Sequence, residues 1–438
     1  MKKKIRFSSF LFAAFLLFSV TGCSFSAQTD ATVSNNVPSI LETTSSAPTE
    51  PITEPVTEPP FEPVNVDLIM VGDILAHEGV YNSGFYPDGT VNYDHIFAQV
   101  KDDIQAADIA IVNQEVVLGG IELGLSGYPC FNSPTELGDA LVTAGFNVVL
   151  HATNHTLDKG ITGVDNTLNF WKESHPETAV LGIHDESFTD YSTQNIYVYE
   201  QNGLRIAILN YTYGTNGIPI PKSRPLIVNM LEEEKVAMDI ARAKEISDFV
   251  IVCPHWGTEY VYQPDSYQKK WTQFFYEHEV DLVIGTHPHV IEPVEWITSE
   301  ESDHKMLVYY SLGNFVSNQD RLPRMLGAMA QVTISMDLAE NVDLTDEHIM
   351  GYRKKIAEDD SITGTKEGDE LVVYISSYGV EPLVTHKLFG PGSITTYKLR
   401  DYTDELASQN RINSDEPGFS VQFLKDLSRQ VFGDLYKE

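Results

Sequence analysis

Short β-branched or aliphatic runs alternate with longer stretches of helical period along most of this 438-residue chain. Asp67–Val71, Ile109–Val112, Val148–Leu150, Phe249–Val252 and Leu282–Ile284 read as buried strands, because each is a brief apolar run closed by glycine or polar residues. Between them, apolar positions recur at helical spacing over Ile96–Ala106, Thr135–Ala144, Val164–Glu173, Leu231–Ile246 and Ser266–His278. Asn195–Glu200 and Leu204–Tyr211 flank Gln201-Asn202-Gly203, which predicts a hairpin, since asparagine and glycine accept the backbone of a tight turn. Strands dominate afterwards, at Glu292–Ile297, Met306–Tyr310 and Ala328–Met336. Residues 337–368 read as an acidic loop or insertion, and 406–438 as a helical tail. The whole pattern predicts an α/β fold with substantial added antiparallel sheet and no internal repeat.

Polar residues cluster where these strands stop. The first run ends Gly72-Asp73, with His77 shortly after; the second ends Asn113-Gln114-Glu115; the third ends His151-Ala152-Thr153-Asn154-His155. The next ends Pro254-His255-Trp256-Gly257, and the last Gly285-Thr286-His287-Pro288-His289. In extended backbone, residues two apart point to one side, so His287 and His289 are expected to converge. Each feature alone has an ordinary reading: a strand-end cap, a solvated acid, an Asx turn, a packed histidine. Five strand ends in succession do not. Ligands of open α/β sheets bind beyond the carboxyl ends of the strands, so Asp73, Glu115, Asn154, His155, His255, His287 and His289 are expected in one crevice. Neutral imidazole is the commonest metal-donating side chain, which makes metal the leading occupant. Tyr211, Glu259 and Tyr260 follow strands near the same edge, where ordinary amphipathic packing accounts for them better than pocket lining does, and Asn314 either contacts a ligand or caps its turn.

The ends of the chain change the picture. Met1-Lys-Lys-Lys-Ile-Arg6 and the apolar run Phe10–Val20 form a basic head and a core too short to span stably, which describes a secretion signal. Residues 24–63 collapse to Ser, Thr, Ala, Glu and Pro, a composition that cannot bury enough apolar surface to order itself and so predicts a tether. Residues 64–405 then form the main domain. The formal charge of −34 argues against nucleic-acid binding, which needs a basic footprint. Only Cys130 and Cys253 remain beyond Cys23, so this is no disulfide scaffold, and Cys253 at the end of an apolar strand is expected as a buried free thiol. No Gly-x-Ser-x-Gly elbow and no Walker-type phosphate loop is present, which removes support for serine-hydrolase and nucleotide-motor chemistry.

Gly72-Asp73, Asn113-Gln-Glu115, Asn154-His155, His255-Trp256-Gly257, Gly285-Thr-His-Pro-His289 and Ser311-Leu-Gly-Asn-Phe315 follow the order and spacing of the CapA/PgsA-type capsule synthesis proteins, which are associated with poly-γ-glutamate. That family in turn resembles the calcineurin-like metallophosphoesterases, which implies a two-sheet β-sandwich flanked by helices and a dinuclear metal centre. By this resemblance Asp73 and His289 serve a first metal, and Glu115 stands at the bridging position. Asn154, His255 and His287 then serve a second metal, and His155 protonates the leaving group. Two departures stand out: His77 lies four residues from Asp73 where the superfamily has Asp-x-His, and Glu115 replaces a bridging aspartate. Mixed imidazole, amide and carboxylate donors suit Mn, Fe or Zn. Asn314, Glu259, Tyr260 and His77 are the candidates for the substrate side. Val20-Thr21-Gly22-Cys23 resembles a bacterial lipobox, which implies acylation of Cys23 and a domain held on the outer face of the cytoplasmic membrane.

Two functions from different classes follow. One is a metal-dependent hydrolase acting on poly-γ-glutamate or a related cell-surface polymer; the other is a polymer-binding or export component without turnover, working with membrane capsule-synthesis subunits.

Overall fold

Alternation along the strands sets the layering. In the computed structural model, which describes residues 61–191, 196–344, 350–357, 362 and 364–438, the strands are, in chain order, β1 (Val64–Leu75), β2 (Ile109–Asn113), β3 (Val148–Leu150), β4 (Ala179–Leu181), β5 (Tyr197–Gln201), β6 (Leu204–Thr212), β7 (Phe249–His255) and β8 (Leu282–Ile284). They continue as β9 (Val294–Ser299), β10 (Ser302–Tyr309), β11 (Asn314–Ser317), β12 (Leu326–Leu338), β13 (Met350–Ile356), β14 (Glu370–Lys387) and β15 (Ile394–Lys398). The expected secretion signal, Cys23 and nearly all of the expected tether lie outside the described residues.

One sheet runs β13-β14-β12-β1-β2-β3-β4, with β11 beside the end of β1 and β15 beside β14; the other runs β5-β6-β7-β8-β10-β9. The strands β1 to β4 are mutually parallel, as are β6, β7, β8 and β10, while β12, β14, β5 and β9 add antiparallel edges. On β1, Leu68 and Met70 face a core shared with Ile206, Ile208, Ile251 and Leu307 of the other sheet. Ile69 and Val71 point the other way, toward Ile96, Phe97, Ile104 and Leu141 of the helices. On β6 and β7, Leu209, Tyr211, Val250 and Val252 pack outward on Val236, Ile240, Trp271 and Phe275. Both faces of each central strand are therefore apolar, as strands buried on two sides require. The result is the expected two-sheet α/β sandwich flanked by helices.

The helices are α1 (Glu78–Ser83), α2 (Asp94–Phe97), α3 (Lys101–Ala106), α4 (Glu136–Ala144), α5 (Gly160–Ser174), α6 (Glu233–Ile246), α7 (Ser266–Glu277), α8 (Asp404–Gln409), α9 (Ile412–Asp415) and α10 (Val421–Phe432). The single helix expected over 96–106 is two, broken at a tight turn in which the Val100 N–H meets the Phe97 carbonyl at 3.0 Å. Ile96, Phe97, Val100 and Ile104 stay on one buried face through the break, so the hydrophobic period does not register it. Part of the expected acidic loop, Met350–Ile356, is strand β13, paired antiparallel with β14. The C-terminal helices lay Ile412, Leu424, Val431 and Phe432 against the inter-sheet core. Cys130 is exposed and Cys253 buried, both as free thiols. Tyr211 is core, its hydroxyl donating to Asp239 Oδ2 at 2.8 Å.

Two glycines let neighbouring strand ends come close, one in each sheet. A Cβ on Gly72 would lie 1.9 Å from the Gly313 carbonyl oxygen, and one on Gly285 would lie 2.2 Å from that of Tyr310. Only glycine admits those approaches.

Candidate metal centre

The parallel strands of both sheets end on one edge, and their terminal residues meet there. Asp73 lies fully buried near the end of β1, its N–H donating to the Gly313 carbonyl at 3.0 Å. Its Oδ1 accepts from Asn113 Nδ2 at 2.8 Å, and its Oδ2 from the His287 N–H at 3.2 Å. Glu115 follows β2, and its carbonyl is fixed by the Thr153 hydroxyl at 2.6 Å, which ties the β2 and β3 ends together. Asn154 and His155 follow β3 in a turn held by Thr156, whose Oγ1 donates to the His151 carbonyl at 2.6 Å. His255 closes β7, and His287 and His289 follow β8.

The two histidines of the His-Pro-His run are not in extended backbone. His287 has φ 101° and His289 φ 58°, both left-handed. They converge through a strained turn rather than through strand alternation, a conformation that persists only where surroundings over-determine it. Here the Tyr260 N–H donates to the Pro288 carbonyl at 2.8 Å, and Asp73 takes the His287 N–H. The His255 and His287 ring centroids are 4.8 Å apart, those of His287 and His289 5.7 Å.

Glu115 is the chemical anomaly. It is 1% exposed, and neither carboxylate oxygen has a hydrogen-bond partner. Its Oε1 lies 3.7 Å from both His255 Nε2 and His289 Nε2. Burial first, then the nearby charges of Asp73, Glu259 and Asp158, hold this carboxyl well above the ordinary range. His287 Nδ1 is likewise buried without a partner. Burial, together with the neighbouring imidazoles, pushes His255 and His287 well below the usual histidine value, so both rings are neutral donors. A buried carboxylate left unpaired costs several kcal/mol, so a cation is the natural complement.

Three overlapping groups bring donor atoms within 4.8 Å of one another: Glu115, His255 and His287; Asp73, Glu115 and His289; and Glu259, His287 and His289. Donors bound to one ion at about 2.1 Å lie at most about 4.2 Å apart, so small side-chain movements close these groups. The residues present fit divalent metal. Their outer partners fit it too: His255 Nδ1 is 3.0 Å from Thr286 Oγ1, and His289 Nδ1 is 3.1 Å from Asn314 Oδ1, which leaves each Nε2 turned to Glu115. Asn154 Oδ1 is 2.9 Å from His255 Nε2, within reach of the same point.

His155 stands beside the donor groups. Its Nδ1 is 2.7 Å from Asp158 Oδ2, which also takes the Phe131 N–H at 2.6 Å, and the Phe131 ring meets the imidazole edge-on. Of the expected substrate-side residues, Asn314 is buried behind His289, and its Nδ2 donates to Gln319 Oε1 at 3.0 Å. Glu259 is exposed on the rim, and Tyr260, partly exposed, has its ring 5.9 Å from that of His289. His77 sits one layer out, its ring against Phe131 and its Nδ1 3.0 Å from the Leu75 carbonyl; burial pushes it down to about 4. Sequence reasoning named Asn113 and Thr286 within the strand-end motifs without giving them a role, and passed over Asp158, Tyr213 and Asn216. Tyr213 packs its ring 4.7 Å from that of His287, and Asn216 Oδ1 takes a bond from Asn154 Nδ2 at 3.2 Å. The last two lie on the loop after β6, which carries no motif of its own.

Among curated relatives, the PGA biosynthesis protein CapA of Bacillus subtilis (strain 168) is 31% identical over 175 residues, 40% of this chain and 43% of that protein. The Capsule biosynthesis protein CapA of Bacillus anthracis is 31% identical over 189 residues, 42% of this chain and 43% of that one. The match thus spans less than half the length of either relative. Among solved structures, the NAD nucleotidase NadN of Haemophilus influenzae aligns with a TM-score of 0.40 and 11% identity, covering 63% of this chain and 53% of that one. The calcineurin-like phosphoesterase YfkN of Bacillus subtilis aligns with a TM-score of 0.35 and 11% identity, covering 72% of this chain and 92% of that one. Residues 67–319, more than half of the chain and every expected metal ligand within it, match the family described as Bacterial capsule synthesis protein PGA_cap, and the chain belongs to that family.

Proposed function

We propose that this protein is a capsule-associated metallohydrolase acting on poly-γ-glutamate or a related anionic cell-surface polymer. The observation that carries the reading is Glu115, buried with two unpartnered oxygens among three histidines. His255, His287, Asn154 and Glu115 would hold one divalent ion, and Asp73, Glu115 and His289 a second, with Glu115 common to both. Mn, Fe or Zn suits such donors. Bound there, divalent ions supply Lewis-acid polarisation of the substrate and lower the pKa of water.

The chain's own residues provide the rest. Asp158 holds the His155 Nδ1 and so fixes the ring's orientation, which leaves Nε2 as the atom that gives a proton to the leaving group. Phe131 covers one side of that ring against water. Tyr213 and Tyr260 wall the rim next to His287 and His289.

The test is a panel of phosphoesters, peptidoglycan fragments and poly-γ-glutamate, offered to the metal-loaded protein beside His155→Ala. The expected result is turnover of one class, reduced by about 10²–10⁴-fold in the variant, the range for a lost general acid. Binding of the polymer without turnover, equal in both proteins, would replace this reading with that of a polymer-handling component.

Localisation belongs to the same proposal. The lipobox-like Val20-Thr21-Gly22-Cys23, followed by a Ser/Thr/Pro/Glu stretch, supports a domain tethered by lipid at Cys23 on the outer face of the cytoplasmic membrane. Membrane capsule-synthesis subunits are its natural partners there. Mass analysis of the mature N-terminus is expected to find an acylated Cys23, and an unmodified terminus elsewhere would sink this assignment.

A further inference from the structure

A cleft beside the centre carries a charge pattern opposite to that of the chain. The loop Asn318-Gln319-Asp320 follows β11, and three cations from three elements converge on it. Arg411, which precedes α9, donates from Nη2 to Asn318 Oδ1 at 2.8 Å. The buried Lys387, at the end of β14, donates from Nζ to the Gln319 carbonyl at 2.5 Å, so its ammonium meets a carbonyl rather than a carboxylate. Arg324 places Nη1 3.8 Å from Asp320 Oδ1, with its guanidinium 3.5 Å from the centre of the Tyr260 ring.

The same loop borders residues that lie next to the candidate metal ligands. The Asn318 N–H points at His77 Nδ1, 3.5 Å away. The Gln319 amide accepts from Asn314 at 3.0 Å and donates to the Tyr260 hydroxyl at 3.2 Å.

Beyond the loop lies a cleft of about 270 Å³, with Gly79, Phe85, Asn318, Phe389 and Arg411 in its wall. That is below the roughly 300–1,000 Å³ of drug-sized sites and suits an amino-acid-sized unit. Among the described residues Arg411 is the one charged side chain in the wall, in a chain with 63 acidic and 29 basic residues. The acids nearby stand outside it. Asp320 is exposed, Asp415 faces Lys387, and Glu416 accepts the Leu322 N–H at 2.7 Å. Phe389 is 79% exposed, with the Arg411 guanidinium 5.2 Å from its ring centroid. An aromatic ring that exposed contributes little to packing and offers a flat apolar platform beside a fixed cation.

We propose that this cleft is an anion-binding subsite, in which Arg411 and Phe389 take a carboxylate-bearing segment of an extended substrate next to the unit held at the metal centre. The proposal rests on the polymer reading above and extends it to the neighbouring unit. The guanidinium fork matches a carboxylate with two parallel bonds, the Phe389 ring covers the aliphatic part of the segment, and Lys387 raises the local potential from beneath the loop.

Calorimetry on the full-length metal-loaded chain tests it, with a short γ-linked glutamate oligomer, the same oligomer with its carboxylates amidated, and inorganic phosphate as probes. The wild type is expected to bind the charged oligomer and not the amidated one. Arg411→Gln is expected to weaken that binding roughly tenfold or more, the loss of one charge-assisted contact, with Arg411→Lys in between. Phe389→Ala, at an exposed position that the fold does not need, is expected to weaken it severalfold, with bound metal unchanged in all three variants. Binding as tight as wild type in both Arg411→Gln and Phe389→Ala would overturn the subsite. So would equal binding of the amidated oligomer, tighter Arg411-dependent binding of phosphate, or no binding by the wild type. The two readings separate cleanly. Turnover of one substrate class together with Arg411-independent binding removes the subsite and leaves the hydrolase, whereas Arg411-dependent binding without any turnover does the reverse.

Discussion

Replacing Glu115 by glutamine is expected to strip the protein of divalent metal while leaving the metal-free fold almost unchanged. In the metal-free state this carboxyl is buried without a hydrogen-bond partner and held well above its ordinary range, first by burial. Glutamine keeps its shape and size, and the metal-free stabilities of the two proteins should agree within about 1 kcal/mol. With metal present the cases diverge, because both candidate groups built on buried residues share Glu115 as their only or their bridging carboxylate. A ligand that binds only the native state stabilises it by about 2.7 kcal/mol at a concentration of 100 times Kd. That increment should appear in the wild type and vanish in Glu115→Gln, with His287→Ala behaving alike through loss of its unpartnered Nδ1. Elemental analysis of the purified proteins, with denaturation curves at several metal concentrations, makes the measurement. Wild-type metal content in both variants would end the metal-centre reading.

A pH-dependent loss of stability should trace to Glu292, which lies behind the His-Pro-His turn. Its Oε2 accepts from Gln268 Nε2 at 2.6 Å, while its Oε1 is buried without a partner. Burial is the main cause pushing this carboxyl up to about 8; the Gln268 bond pulls it down, and the charge of Asp265 adds to the rise. Between the ordinary value near 4.5 and about 8, the folded protein holds a proton that the unfolded chain has released. The native state then binds more protons, so stability falls as pH rises through that window and levels off above it. The total is on the order of a few kcal/mol. Glu292→Gln should remove this slope, becoming the more stable protein toward the alkaline end. Chemical denaturation of both proteins from about pH 5 to about pH 9 checks it, and parallel profiles would assign the slope to another group. Gln268 also closes the capping box of α7, its N–H donating to Asp265 Oδ1 at 2.8 Å and its Oε1 accepting the Asp265 N–H at 2.9 Å.

Local pattern located the residues gathered at the candidate centre because they sit at strand ends, and strand ends are a local property. A short apolar run followed by Gly72-Asp73 or Gly285-Thr286-His287 announces both the strand and the residue presented beyond it. Parallel strands that all stop on one edge then bring such residues together. The same reasoning missed the 18-residue strand β14, in which Ser376-Ser377, Gly379 and Pro382 interrupt any apolar alternation. Pairing with β12 along most of its length holds it extended, and that is a long-range effect. It also missed the four-residue β11, which exists because Gly72 and Gly313 let it approach β1.

What the sequence by itself determined, then, was the alternating layering of strand and helix, the set of strand-end donors, and the acidic composition that confines anion binding to a few local cations. Tertiary structure decided how those donors are used. The left-handed backbone at His287 and His289 follows from contacts with Asp73 and Tyr260, residues far away in sequence, and not from any preference of histidine. Asn113 reaches Asp73 through the pairing of β1 with β2, Asp158 holds His155 from the same turn, and Asn216 meets Asn154 through packing of a separate loop. The gathering of Arg324, Lys387 and Arg411 on one loop has the same origin, since no spacing along the chain relates a strand end, a loop and the residue before a short helix. Hydrophobic period reports which face of an element is buried; it carries no information about which polar groups that burial will bring face to face.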